Sequence, residues 1–207
     1  MRDKIIKENR LTPDLSVGIN LYKNIKLNNK NNLYEFIKKE IIRIKTDYME
    51  HLPEGYKYSR KLYKAFKIDP TKHRPSSEAL WRRIKKGLDF PEVNPIVDLT
   101  NLLSLKYQIS YGLYDSDKIK GEIIIKLGEE DDKYRGIRKN ILNFRGKIVL
   151  SDEIGVFGNP SADSLRTSVD ENSKNIMQVL FFHKDYPFKE KITEESLNIY
   201  KLFFDFE

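Results

Sequence analysis

An α+β fold is what this sequence predicts, on three observations. A stretch near the start alternates apolar and polar residues as a strand does. Helical stripes follow it, and the second half is a run of short strands closed by one more helix. No internal repeat or low-complexity linker interrupts the 207 residues, so one domain over 1–207 is expected. Within it, 1–90 reads as a basic, mostly helical half and 91–207 as the core.

Residues 1–14 are polar and read as a loosely held arm. In 15–27, Val17, Ile19 and Leu21 alternate with polar neighbours, the pattern of a strand. Residues 28–32 form a turn. Leu33, Phe36, Ile37, Ile41, Ile44 and Tyr48 then make one stripe of a helix over 33–49, with Lys38, Lys39, Arg43 and Lys45 largely elsewhere. Pro53 to Gly55 breaks it, and 56–66 is a second short helix. Its Tyr56, Tyr58 and Tyr63 suit either a core or stacking on bases, and the core is preferred. Pro70 and Pro75 hold an extended connector, after which Ser76 or Ser77 caps a helix ending near Lys86, stopped by Gly87. Leu80, Trp81 and Ile84 give that helix its apolar face. Arg82, Arg83, Lys85 and Lys86 crowd its end, where the helix dipole favours cations.

Ile96, Val97, Leu99, Leu102, Leu103 and Leu105 recur at three- and four-residue steps, so 94–107 is a short, well-buried helix. Asn94 caps it and Pro95 suits its first position. Thr100, Asn101 and Ser104 place a small polar cluster on this otherwise apolar element. Asp115 opens D-S-D-K-I-K-G, which leads into a strand over 122–127. Residues 128–140 are a charged turn whose acidic run, 129–132, belongs away from any nucleic-acid face. Strands follow over 141–144, 147–151 and 156–157. Small and polar residues make 159–173 a loop, 176–182 is a buried strand, and Thr193 caps a final helix carrying Leu197, Tyr200, Leu202, Phe203 and Phe204.

Composition excludes several classes. Hydrophobic residues at 39% and charged residues at 33% describe a globular protein. No apolar run approaches the roughly 20 residues that span a bilayer, and MRDKIIKENR has no apolar signal core, so a cytoplasmic protein without a membrane partner is expected. There is no cysteine, and His51, His73 and His183 lie far apart, so neither a metal nor a cofactor is expected. Phosphate-loop, dinucleotide and nucleophile-elbow motifs are absent. The net charge of +7 is uneven: 22 Lys and Arg face 11 Asp and Glu in residues 1–90, and 16 face 20 beyond. A basic half of this kind suits a polyanionic partner, or simply a solvated lysine-rich surface.

Asn94, Val97, Asp98, Thr100, Asn101, Asp115, Ile119, Gly121 and Lys126 fall without a gap into one register. It is N-x-V-V-D-x-T-N, an apolar run, a His three residues before Phe-Asp, a basic residue and Gly, then I-x-V-R. In this the chain resembles the editing and tRNA-binding domain of the phenylalanyl-tRNA synthetase beta subunit, formed from that subunit's third and fourth modules. His73-Arg74-Pro75-Ser76-Ser77 resembles the R-P-S-S-E-x-L-x-x-R segment of free-standing relatives of that domain. Asp163-Ser164-Leu165-Arg166-Thr167 resembles their D-S-x-R-T loop. The resemblance covers roughly 74–182, about half of the chain. It implies a three-layer fold with an unusual β-sandwich core and flanking helices. It also implies tRNA or aminoacyl-tRNA as partner, a pocket for the amino-acid moiety, and hydrolysis of mischarged amino acid in trans, without aminoacylation. Two departures stand out. Gly112 occupies the place of the family's His, and Leu165 or Arg166 that of its pocket glutamate.

Hydrolysing an aminoacyl ester needs no protein nucleophile, because a positioned water and oxyanion donors suffice. Asp163, Asn101 and Thr167 are the catalytic candidates. Gly112, Asp115, Ser164, Arg166 and Thr100 are candidate substrate contacts, with Gly112 widening the pocket. Asp98 and Asp115 equally suit structural bonds to backbone amides. Arg74, Arg82, Arg83, Lys85 and Lys86 are the RNA-binding candidates, and Arg74 alternatively a loop-holding arginine. The competing readings are a noncatalytic module binding tRNA or an amino acid, and a protein–protein adaptor. Whether Asn101, Gly112, Asp163 and Arg166 line one cavity discriminates among them.

Overall fold

A computed structural model describes residues 14–207 and the backbone of Ile5–Lys7. In chain order the strands are β1 (Ile5–Lys7), β2 (Leu15–Tyr22), β3 (Lys26–Leu27), β4 (Ser110–Asp115), β5 (Ile123–Leu127), β6 (Lys133–Arg135), β7 (Ile141–Asn143), β8 (Ile148–Ser151), β9 (Val156–Gly158), β10 (Ile176–His183) and β11 (Phe204–Asp205). The helices are α1 (Leu33–Glu50), α2 (Glu54–Ala65), α3 (Ser76–Lys85), α4 (Pro95–Tyr107) and α5 (Lys189–Phe203). The fold is α+β.

Three layers stack around β10, the middle strand of the antiparallel sheet β2-β10-β4. Side chains alternate across a strand, so β10 has two buried faces. Ile176, Leu180 and Phe182 meet α1, α3, α4 and α5, together with Tyr111 and Leu113 of β4. Met177, Val179 and Phe181 meet Ile123, Ile125, Ile148 and Leu150 of the second sheet, β1-β5-β8-β9. The order is therefore helices, sheet, sheet. α2 bridges the two interiors, with Tyr58 against the first and Leu62 in the second.

α4 forms where the apolar period predicts it. The Asn94 side chain accepts from the Val97 N–H at 2.9 Å, Pro95 opens the first turn, and Gln108 ends it in the left-handed region. Leu99, Leu102, Leu103 and Leu105 are all fully buried, each contributing roughly 1.5–3 kcal/mol of transfer free energy. α1 begins on an Asn32 cap, and Gly87 at φ +76° stops α3.

Several boundaries differ from the pattern. The stretch 15–27 is two strands, parted at Asn24, whose φ is +54°. Of the N-terminal arm, Ile5–Lys7 pairs in parallel with β5, Asp14 pairs with Lys184 at 2.9 Å, and the other residues lie outside the described residues. Residues 110–115 form a strand buried at every position, and 128–140 contains β6, paired with β7. Two expected caps are corrected. Pro75 holds the cap position of α3, leaving Ser76 and Ser77 inside the first turn. Thr193 lies within α5, its hydroxyl donating to the Lys189 carbonyl at 2.7 Å, because the helix starts four residues earlier after Phe188.

Candidate functional site

A cleft of about 540 Å³ opens between α4, the first half of α3, the β6–β7 hairpin tip and the loop after β9. Thr100, Asn101 and Ser104 of α4 line one side, and Asn159, Ser161 and Asp163 of the loop line the other. Ser76, Ala79 and Leu80 of α3, Tyr111 of β4 and Arg138 of the hairpin complete it. Two segments about sixty positions apart in sequence thus share one polar hollow beside the main core.

The α4 side separates free from committed groups. Asn101 is half-buried, and its carboxamide makes no hydrogen bond among the described residues. The Thr100 hydroxyl is 2.5 Å from that of Tyr200 and accepts from Gln178 Nε2 at 3.3 Å. Gln178 Oε1 in turn accepts from Asn20 and from the Tyr22 hydroxyl, both at 3.1 Å. Thr100 therefore belongs to a satisfied polar network under the cleft floor. Ser104 donates to the Ile109 carbonyl at 2.7 Å and ties α4 to β4.

The loop side is held firmly. Asn159 Nδ2 donates to the Ile148 carbonyl at 2.6 Å, Tyr134 donates to the Ala162 carbonyl at 2.5 Å, and the Ser161 and Tyr63 hydroxyls are 2.5 Å apart. This anchorage presents Asp163. Its Oδ2 accepts from the Leu113 N–H at 3.3 Å, while Oδ1 is closed off from solvent without a well-aligned donor. Burial pushes the carboxyl up to about 7, and the Tyr114 hydroxyl and the Leu113 N–H offset only part of that rise. A carboxyl poised near neutrality is what general-base chemistry requires.

The other residues singled out in the sequence do not reach the cleft. Thr167 and Ser164 are buried, at 0% and 1% exposed, with their hydroxyls 3.0 Å apart. They brace the loop from inside. Arg166 turns to the opposite side, donating to both carboxylate oxygens of Asp152 at 2.9 Å, as well as to the Lys118 and Gly155 carbonyls. Burial alone would raise the Asp152 carboxyl, but Arg166 and the Lys120 N–H hold it below its ordinary value. Asp115 is also committed: its oxygens accept from the Asp117 N–H at 3.1 Å and the Ser173 hydroxyl at 2.6 Å, with Lys118 Nζ at 3.3 Å. Asp98 accepts from the Val93 N–H at 2.8 Å, the structural bond its place on the helix suggests.

Gly112 does not widen a pocket. A Cβ there would lie 2.2 Å from the Tyr114 hydroxyl, and one on Gly158 would lie 2.3 Å from the same atom. The two glycines make room for the Tyr114 side chain, which fills the space a residue at 112 would take. Nothing in the sequence pattern marks Tyr114; only the fold brings Gly158 against it. Arg138 is likewise placed by the hairpin and has no signature of its own.

Among the RNA candidates, Arg74 has its Nε 3.9 Å from Glu78, which Arg60 holds at 2.8 Å, and that Nε is buried without a hydrogen-bond partner. Arg82, Arg83, Lys85 and Lys86 are exposed on the second half of α3, away from the cleft-lining residues of its first half. Among the described residues no group of three His, Asp or Glu side chains could hold a metal ion, and no helix is long and apolar enough to cross a membrane.

The fold and cleft define a three-layer α+β module with a polar recess built on one helix and one loop. The family model for the B3/4 domain matches residues 59–190, a span that takes in every element of the cleft, and the chain belongs to that family. The phenylalanine--tRNA ligase beta subunit of Bartonella henselae is 30% identical over 87 residues, 41% of this chain and 11% of that protein. The corresponding subunit of Fusobacterium nucleatum is 27% identical over 132 residues, 59% of this chain and 16% of that protein. The uncharacterized protein YhzB of Bacillus subtilis is 32% identical over 85 residues, 41% of this chain and 34% of that protein. In each case the match takes in about a third or less of the relative's length. Among solved structures, an N-terminal fragment of the phenylalanyl-tRNA synthetase beta subunit from Pyrococcus horikoshii matches at 18% identity with a TM-score of 0.42, over 52% of this chain and 41% of that one.

Proposed function

We propose that this chain is an editing-type module that receives the acceptor end of an aminoacyl-tRNA and hydrolyses the ester of a mischarged amino acid. The observation that carries the reading is that Asn101 and Asp163 line one cleft, one with free donors and the other with a carboxyl near neutrality. In the proposed reaction Asp163 takes a proton from water as that water attacks the ester carbonyl. The Asn101 carboxamide donates to the oxygen that becomes negative. The carbon–oxygen bond to the ribose then breaks, and the proton returns to the ribose oxygen. Thr100, Ser164 and Thr167 keep helix and loop in register.

A panel of mischarged tRNAs tests this. Ester loss above background is expected for at least one of them. Asp163→Asn should slow it by about 10²–10⁴-fold and Asn101→Ala by about 10²–10³-fold. The rate should climb as pH rises through about 7, where Asp163 gives up its proton, and level off above. No turnover on any tRNA would sink the proposal. A second reading, a noncatalytic module for tRNA or an amino acid, is favoured by the Tyr114 hydroxyl filling the space beside Gly112. Salt-dependent RNA binding without ester loss would select it.

A further inference from the structure

A hollow of about 520 Å³ lies in the helical layer and shares no lining residue with the cleft. Ile37, Ile41 and Ile42 of α1 form one wall, and Ile84 of α3 with Leu88 and Phe90 just after it form the other. α1 precedes the span that the family model matches, so one wall is built by residues outside the B3/4 match. Tyr34, Glu92 and Asp98 supply the polar part of the lining. Burial and the Asp98 and Glu92 carboxylates push the Tyr34 hydroxyl up, which places the three groups close together.

Asp98 is the uncommon member of this group. It is 1% exposed, and its Oδ1 accepts from the Val93 N–H at 2.8 Å. Its Oδ2 is closed off from solvent and has no hydrogen-bond partner among the described residues. Among those residues no ion pair reaches Asp98 or Glu92 either. Lys38 and Lys45 on the α1 wall are exposed and pair with neither. Burial raises the Asp98 carboxyl, and the Val93 N–H offsets only part of that rise. A buried carboxylate oxygen without a donor costs free energy that a donor on a ligand recovers.

We propose that this hollow binds a small apolar molecule ending in a protonated primary amine, with the ammonium on Asp98 Oδ2 and the apolar body between α1 and Leu88. The ammonium enters as the Tyr34 side chain, 47% exposed and beside the carboxylate, turns outward. The volume suits a small ligand, and the walls are mostly aliphatic, as such sites are. The polar part holds two carboxylates and a phenol, so it offers acceptors and asks for a donor. A charged donor is favoured over a hydroxyl, because a charge-assisted hydrogen bond is roughly twice as strong as a neutral one. An anionic ligand would meet Asp98 and Glu92 with like charge. This site stands apart from the proposed hydrolysis and does not depend on it.

The test titrates the full chain, labelled with nitrogen-15, with 2-phenylethylamine, 2-phenylethanol and 3-phenylpropionate. The amine should shift the amide signals of Val93 and Leu88 saturably. The alcohol and the acid should bind about tenfold or more weakly. Asp98→Asn keeps an oxygen for the Val93 N–H and should raise Kd for the amine about tenfold or more, erasing its advantage over the alcohol. Leu88 is 51% exposed, so Leu88→Arg sets a cation in the wall with the fold not in question, and it should weaken the amine by about fivefold or more. Melting curves check Asp98→Asn, and Leu88→Arg decides the matter if that variant does not fold. Asp163→Asn, the other buried carboxyl short of donors, should leave Kd within about twofold. No saturable shift at Val93 and Leu88, equal binding of the three probes, no loss in folded Asp98→Asn or in Leu88→Arg, or an equal loss in Asp163→Asn would overturn the inference.

Discussion

Asp163 and Arg166 lie three residues apart in one loop and occupy opposite environments. Asp163 is part of the cleft wall, with one carboxylate oxygen closed off from solvent and lacking a well-aligned donor, and burial holds its carboxyl near neutrality. Arg166 faces away and satisfies both oxygens of Asp152, whose side chain is fully buried. The same short motif thus supplies one carboxyl left short of donors and one arginine that fastens the loop to the sandwich. Charge pairing tells them apart. A buried ion in a complete bidentate pair holds its charge, whereas a buried carboxyl left short of donors is driven toward its neutral form.

The comparison breaks most visibly at Arg166. Arg166→Ala strands the Asp152 carboxylate and should lower unfolding free energy by about 3–5 kcal/mol in denaturant titrations. Arg166→Lys should recover little, since an ammonium cannot bridge both oxygens in the same plane. Gly112→Ala comes next, at about 1–3 kcal/mol, through overpacking against Tyr114. In a Tyr114→Ala background that penalty should vanish, a coupling that a double-mutant cycle reads directly.

Asp163→Asn has an effect whose sign is defined and whose size depends on pH. The folded carboxyl titrates at about 7 and an unfolded one near ~3.9, so the folded state binds more protons between those values. The wild-type protein therefore loses stability as pH rises through that window. The variant should match it near pH ~4 and be the more stable of the two above pH ~7 when melting curves are compared. The smallest change is expected at Asn101, where Asn101→Ala removes no internal hydrogen bond and should shift stability by less than about 0.5 kcal/mol. Hydrolysis should rank these positions the other way, with Asp163 and Asn101 ahead of Gly112.

Local pattern made much of the fold legible. α4 with its Asn94 cap, α1, the buried strand β10 and the loop after β9 all follow from apolar period and turn chemistry. β4 was harder, because its tyrosines, glycine and serine carry no alternation while both of its faces are buried. The caps at Ser76 and Thr193 misled for a related reason. A hydroxyl near a helix start marks a cap only if the chain turns there, and Pro75 and Phe188 take those turns instead. Within the site, Asn101 and Asp163 were legible as motif residues, whereas Thr167, Ser164 and Asp115 shared their motifs but went to the interior, and Arg166 turned away to Asp152.

By itself the sequence determined the elements, the basic first half and the two stretches worth watching, because periodicity and capping act between near neighbours. Which member of each stretch meets the other, and that Tyr114 takes the place beside Gly112, was decided only by tertiary packing. The physical reason is that a side chain's direction in a loop is set by the partners that satisfy its neighbours. Those partners, Asp152, Ile148 and Tyr134 among them, come from other strands brought near only when the sandwich closes.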